Sequence, residues 1–472
     1  MNIIVFALNG CPLAALGPYG NEWIATPNLD RLAAEGVVFD NHFSDCPDPA
    51  AARKAWRTGR HQWPTSETRR DNAPPDDLIL LARVRGAHTV LVRANRPAND
   101  AHAEFYAGWD EMFDARPDAS TPAGADALAK ILPEVLDRLT AHPGWLLWIE
   151  LDQLLPPWHI PQDVFDAYVE DLFEEEEADP SEVSDAAEST DESETDDESE
   201  TSGEIEELDI ADEADDDEEA EEPEDEEDEE EDESELDLPE KEPIRPWTEP
   251  VIGWFDRDDL ASWELLHRSF AAALTVFDAG LGRIFDLLRA RGLEQSAVWV
   301  VTADRGYPLG EHGLIGPFRP WLHEELVHVP LIVHLPATAS AGHRVAELTQ
   351  PADLMPTLAG WLGITPAAVD GLNLLPLIQD GGPWPRSSAC SGLIGDTTAE
   401  WAVRTREWLL VKPGEQPPDD DPRGLLLFEK PDDRWEVNNL LSRHPERAEE
   451  LEKILRDTLS SDRGPVDATP EG

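Results

Sequence analysis

Cysteine is nearly absent: Cys11, Cys46 and Cys390 are the only three in 472 residues, far apart and without a C-x-x-C pair. That excludes a disulfide framework and a cysteine-based zinc site. No apolar run reaches the length of a membrane span, so no membrane partner is expected. The opening MNIIVFALNGCPLAALG has no basic segment ahead of its apolar run, and Asn9, Gly10 and Pro12 interrupt it. It reads as a first core strand rather than a signal peptide, and a cytoplasmic location is expected. Lys and Arg are scarce, 36 against 102 Asp and Glu. Clusters of them are what phosphate backbones require, so nucleic acid is excluded as a partner.

The acidity is local. Residues 171–240 hold 42 Asp or Glu and no Lys or Arg, which leaves 60 acidic against 36 basic residues over the other 402 positions. This block has almost no aromatic residue and too little apolar surface to offset the entropy of ordering, so it is expected to be a disordered insertion. Its plain reading is a solvated, self-repelling spacer; its functional reading is a lure for a basic protein or a weak cation sponge.

Outside the block the chain alternates buried strands with helices. Ile3–Leu8 is a continuous apolar run of the kind a buried parallel strand needs. Thr26 then Pro27 open a helix as N-cap and first helical residue. Strands are expected at His88–Arg93, Trp145–Leu151, Ala297–Thr302 and Val329–Leu335. Helices are expected at Pro122–Leu139 and Asp259–Arg291, the latter in two segments around Gly280. After Ser387 the pattern changes to short strands (Trp401–Arg406, Trp408–Val411, Leu425–Phe428) and a final helix over Pro445–Leu459. The fold class is therefore α/β, a sandwich with helices on both faces of a mostly parallel sheet. Residues 1–170 and 241–386 make the α/β domain, and 387–472 a small C-terminal α+β subdomain.

Several segments resemble one family. Asp45 to Arg60 (DCPDPAAARKAWRTGR) is similar to the sulfatase nucleophile run C-x-P-x-R-A-A-L-L-T-G-R, and LGPYGNEWIATPNLDRLAAEGVVFDNHF to its opening motif. AVWVVTADRGYPLGEHGLIG and HEELVHVPLIVHLP resemble two later sulfatase segments, and DLMPTLAGWLGI, DGLNLLPLI, WAVRTREWLLVK and WEVNNL have counterparts as well. The resemblance implies the alkaline-phosphatase-like fold. It also implies sulfuric ester hydrolysis by a formylglycine nucleophile beside a calcium ion.

Carried over position by position, that chemistry is largely missing. The nucleophile position is Pro49, which has no side-chain heteroatom and cannot become formylglycine. The metal positions fall on Asn9, Gly10, Asp304 and Arg305, and a hard cation wants several anionic oxygens where only Asp304 offers one. Arg305 adds a permanent positive charge there. The family's G-K-x-H becomes Arg93-Ala94-Asn95-Arg96, its D-P-H becomes Gln153-Leu154-Leu155, and the lysine after G-L-x-G becomes Pro317. Only Arg53 and Asp304 match. No catalytic residue, metal or cofactor is therefore expected, calcium and formylglycine both being lost. Arg53, Arg93, Arg96 and Arg305 fall on the walls of the former sulfate pocket and suit an anionic small molecule, a sulfate or phosphate ester.

Other candidates carry less. Cys46 lies outside the C-x-P-x-R context and reads as a packed thiol. His323 and His328 flank Glu324 but sit five apart, whereas a zinc helix needs four. His312 reads as a loop hydrogen-bonding residue. The 17 tryptophans read mostly as packing, with Trp247 and Trp254 re-anchoring the chain after the acidic block. The expectation is a non-catalytic sulfatase homologue with a binding or scaffolding role. The alternatives are an active sulfatase or phosphatase-like hydrolase with a non-standard nucleophile, and an interaction protein working through its acidic loop.

Overall fold

The computed structural model describes residues 1–63, 76–94, 103–115, 124–170, 243–336, 341–379, 381–395, 398–414 and 424–460. The acidic block and Arg96 lie outside the described residues. Residues 1–170 and 245–472 form one compact unit, which includes the C-terminal region.

Eight strands form the main sheet: β1 (Asn2–Leu8), β2 (Val37–His42), β3 (His88–Arg93), β4 (Glu111–Asp114), β5 (Trp145–Leu151), β7 (Ala297–Ala303), β9 (Leu331–His334) and β10 (His343–Thr349). β6 (Gly253–Trp254) and β8 (Leu314–Ile315) pair separately. The order is β10-β2-β9-β7-β1-β5-β3-β4. β9 runs antiparallel to β2 and β7, and every other pairing is parallel. β1 lies between β5 and β7 near the centre, and its residues Ile3 to Leu8 are at most 1% exposed. Successive side chains pass to opposite faces. Ile4, Phe6 and Leu8 pack with the helices Ala125–Leu139 and Leu260–Ala290. Ile3, Val5 and Ala7 pack with Ala52 and Trp56 of the helix Pro49–Thr58 and with Met355 and Leu358 of Leu354–Trp361. Apolar burial on both faces is why these strands read as unbroken hydrophobic runs.

A second, antiparallel sheet follows: β11 (Ala389–Ile394), β12 (Ala399–Arg404), β13 (Trp408–Pro413) and β14 (Leu426–Glu429), with the helix Pro445–Ser460 behind it. Ala402, Leu409 and Val411 face one cluster, while Val403 and Leu410 face the helix residues Ala448, Leu451 and Leu455.

Three expectations need correcting. Leu260–Ala290 is one unbroken helix of 31 residues. Gly280 is no break but a close-approach site, where an added Cβ would lie 2.6 Å from the Cβ of Ala125. Thr26 occupies the N-cap position of Pro27–Glu35 without a capping bond; its hydroxyl accepts from the Gly17 N–H. Asp278 caps that helix from the long helix instead, accepting the N–H groups of Asn28 and Leu29. The strand β11 was not anticipated, since ACSGLI carries only weak strand propensity.

Candidate functional site

In open α/β sheets ligands bind beyond the carboxyl ends of the strands. Here those ends gather the sequence candidates. Asn9 and Gly10 follow β1, Asp304 and Arg305 follow β7, and Arg93 ends β3. The helix Pro49–Thr58 brings Arg53 to them. Asp48 caps that helix by accepting from the Ala50 and Ala51 N–H groups, and Pro49 is its first residue, where a missing N–H costs nothing.

Arg53 is fully engaged. Its Nε donates to Glu150 Oε1 at 2.7 Å, Nη2 to Asn9 Oδ1 at 2.8 Å and Nη1 to the Pro49 carbonyl at 3.0 Å. Asp304 Oδ2 lies 3.7 Å from Nη1. Burial works against the charge, but Glu150 and Asp304 outweigh it and hold the guanidinium firmly protonated. Asp304 is completely buried and takes the Gly10 N–H on Oδ1 at 2.8 Å. Glu150 was missed at the sequence level. The signal was there: it is the one charged residue in the buried strand WLLWIEL.

The other arginines divide. Arg93 pairs with Asp114 at 2.6 Å and lies over the ring of Tyr106. The Tyr106 hydroxyl donates to Glu150 Oε2 at 2.9 Å, which links Arg93 to the Arg53 cluster. Burial first and Glu150 second push that hydroxyl up to about 12. Arg305 is bound far more loosely, by one contact of 3.5 Å from Nη1 to Asp304 Oδ2.

Other positions in the motifs hold the fold. Gln153 Oε1 accepts the Ala125 N–H at the start of its helix, and the Leu155 side chain fills the space over Gly10. Pro317 is exposed. The Thr58-Gly59-Arg60 and Asp370-Gly371 motifs hold each other. The Gly59 carbonyl accepts from Asp370 and Gly371 N–H, and Asp370 Oδ2 accepts from His61 N–H. Gly59 sits at φ +65° as helix C-cap, and a Cβ on Gly371 would collide with the Ala352 carbonyl. Trp247 packs against the core beside the long helix, whereas Trp254 is half exposed and crosses Trp321 edge to face. Cys46 is buried, and burial with Asp45 and Asp48 drives its thiol far from ionisation.

A second polar cluster joins the GEHG loop to the end of the C-terminal sheet. His323 and His328 sit at opposite ends of the short helix Glu324–Val327 and take different partners. His323 Nδ1 meets Glu436 Oε2 at 2.5 Å, while His328 meets Glu324 and the Asp40 carbonyl. His312 Nδ1 bonds Glu325 at 2.6 Å and stacks on His323 with ring centres 4.0 Å apart. His312, His323 and Glu436 are close enough together to be considered for a metal. Lys430, 1% exposed, already lies 3.0 Å from Glu436 and 3.2 Å from Glu324, and stacked imidazoles do not aim two lone pairs at one point. Burial first, then Glu324, push Glu436 up to about 7 against the pull of Lys430. Among the described residues no helix is long and apolar enough to cross a membrane.

The central, mostly parallel sheet with helices on both faces carries an acid-and-arginine cluster at its strand ends. Solved structures agree on the fold. The chain aligns with the phosphonate monoester hydrolase of Agrobacterium radiobacter at a TM-score of 0.64 and 17% identity, over 99% of this chain and 100% of that one. A structure determined with its substrate D-glucosamine-2-N,6-O-disulfate aligns at 0.62 and 18% identity, over 97% of each. The family model described as Sulfatase matches residues 176–364. N-acetylglucosamine-6-O-sulfatase of Bacteroides thetaiotaomicron is 29% identical over 129 residues, 27% of this chain and 23% of that protein. The multifunctional alkaline phosphatase superfamily protein PehA of Trinickia caryophylli is 32% identical over 120 residues, 25% of this chain and 23% of that one. The matched segment thus spans under a quarter of each of these relatives. Over these segments the chain is similar to the sulfatase family.

Proposed function

We propose that this sulfatase-family chain has given up ester hydrolysis and keeps the fold to hold an anionic ester or a partner. The observation that carries the proposal is Arg53. Its guanidinium lies among Asn9, Glu150 and Asp304, the polar groups that the strand ends supply. The donor set does not fit a divalent cation. Asn9 Oδ1 already accepts from Arg53, Asp304 Oδ1 accepts from Gly10, and two guanidinium groups face Asp304 Oδ2. A hard cation needs free oxygens and no neighbouring positive charge. The helix that would carry the nucleophile begins at Pro49, and without an attacking heteroatom covalent catalysis has no first step. Neither calcium nor formylglycine belongs to this reading.

The relatives that do act on esters give the test its substrates. Purified protein is expected to leave 4-nitrophenyl sulfate and 4-nitrophenyl phosphate intact, with or without added calcium, at the rate of a heat-inactivated control. Turnover that persists through repurification and follows the protein peak overturns the proposal and favours the alternative, a hydrolase with a non-standard nucleophile.

A further inference from the structure

We infer that Arg305 and Tyr307, in the loop after β7, form the seat of a small oxyanion: a phosphate, sulfate or carboxylate group, free or carried on an ester. The inference deepens the proposed non-catalytic reading by naming what the pocket holds and which side chains hold it. It reverses the sign of the site, since the resemblance places a cation at this loop.

Two buried donors lead to it. The Arg305 side chain is 10% exposed, and its only contact among the described residues is the 3.5 Å approach of Nη1 to Asp304. Its Nε is buried and has no hydrogen-bond partner among the described residues. A guanidinium carries five N–H donors in a planar fork, and one long contact leaves most of that capacity unused. Tyr307 is 1% exposed, and its hydroxyl is likewise buried and unpartnered. Leaving a buried polar group unpaired is costly, and more so for a charged one. Two such groups two residues apart are therefore a costly arrangement unless something pairs with them.

The surroundings favour an oxyanion over another protein group. Gly316 lets the backbone pass close to the tyrosine, while the Leu155 side chain takes the space over Gly10. A Cβ on Gly10 would lie 3.6 Å from the Tyr307 ring, and one on Gly316 would lie 3.0 Å from the hydroxyl and 3.3 Å from Ile252. Ile252 is 48% exposed, so this wall reaches the surface. Burial pushes the Tyr307 hydroxyl up to about 12 with Arg305 pulling it partly back, so the phenol is a neutral donor at ordinary pH. A guanidinium fork offers donors only and a neutral phenol O–H can add one more, which sulfate, phosphate and carboxylate oxygens can accept. Arg53 takes no part, because every arm of it is already bonded.

The test is thermal unfolding of the full chain against inorganic phosphate, inorganic sulfate and acetate at constant ionic strength, with chloride as reference. A ligand that binds only the folded state raises the unfolding temperature as its concentration rises. A saturable rise with at least one oxyanion is expected. Tyr307→Phe, which removes a single hydroxyl, should weaken it about tenfold, Arg305→Lys by more, and Arg305→Gln should abolish it. If Arg305→Gln does not fold, the titrations of wild type and Tyr307→Phe decide. No saturable rise with any of the three anions, or an undiminished rise in the Arg305 or Tyr307 variants, overturns the inference. Oxyanion binding together with ester turnover would instead defeat the non-catalytic reading and leave this site standing.

Discussion

The two sides of the strand-end cluster treat the same side chain in opposite ways. On the β1–β5 side, Arg53 has partners on every arm, and Glu150, Asn9 and Asp304 each answer it. On the side after β7, Arg305 has, among the described residues, one long polar contact and a buried nitrogen with no partner. A saturated buried arginine is part of the fold, whereas an under-bonded one is available to a ligand. Both sit where motif matching puts site residues, so position alone does not separate them.

The largest effect expected of that contrast is on stability. Arg53→Ala leaves Glu150 buried without its counter-charge and Asp304 with only the loose Arg305 contact, and should cost about 3–5 kcal/mol in urea unfolding. Arg53→Met with Glu150→Met should recover most of that loss, because an ion pair replaced whole by apolar groups is often neutral. A cost for Arg53→Ala below about 1 kcal/mol would end the distinction between the two sides.

Next in size is a pH effect away from the pocket. Burial pushes the Glu436 carboxyl up to about 7 in the folded state, above its ordinary 4.5. The folded state then binds the proton more tightly than the unfolded one. Its contribution to stability is present at low pH, is lost as pH rises from about 4.5 to about 7, and is flat above. Glu436→Gln should make the fall in urea midpoint between pH 5 and pH 7 shallower. An unchanged slope would show that Glu436 does not titrate there.

Smaller still, Arg305→Met should cost under about 1.5 kcal/mol, since it removes one weak contact and relieves an unpaired buried donor. A loss as large as that of Arg53→Ala would make Arg305 structural too. Smallest of all is Pro49→Cys, which should gain no turnover toward 4-nitrophenyl sulfate. The thiol would stand beside a site still occupied by Arg53, with one family carboxylate, Asp304, near it.

The fold was legible wherever burial on both faces leaves an unbroken apolar run. His88–Arg93 and Trp145–Leu151 stand where the pattern places them, because a central parallel strand has no polar face to blur its ends. Gly280 was misread because a glycine at a helix–helix approach and one at a helix break look alike in a single sequence. The site positions Asn9, Gly10, Asp304, Arg305, Arg53 and Arg93 converge as the motifs imply. Their partners were not legible. Glu150 reaches Arg53 only through the register of β5 beside β1, and Tyr106 reaches Glu150 from a helix of four residues. Tyr307 carries no mark until its hydroxyl is seen to be buried.

The most direct measurement is the calcium dependence of unfolding, followed by near-ultraviolet circular dichroism, which reports the tryptophan-rich core. With Arg53 among the strand-end oxygens, the unfolding temperature should be the same in chelator as in millimolar calcium once ionic strength is matched, in wild type and in Asp304→Asn alike. A saturable calcium-dependent rise that Asp304→Asn abolishes would show a cation seated where Arg53 now lies, and would contradict the proposed loss of the family's metal chemistry.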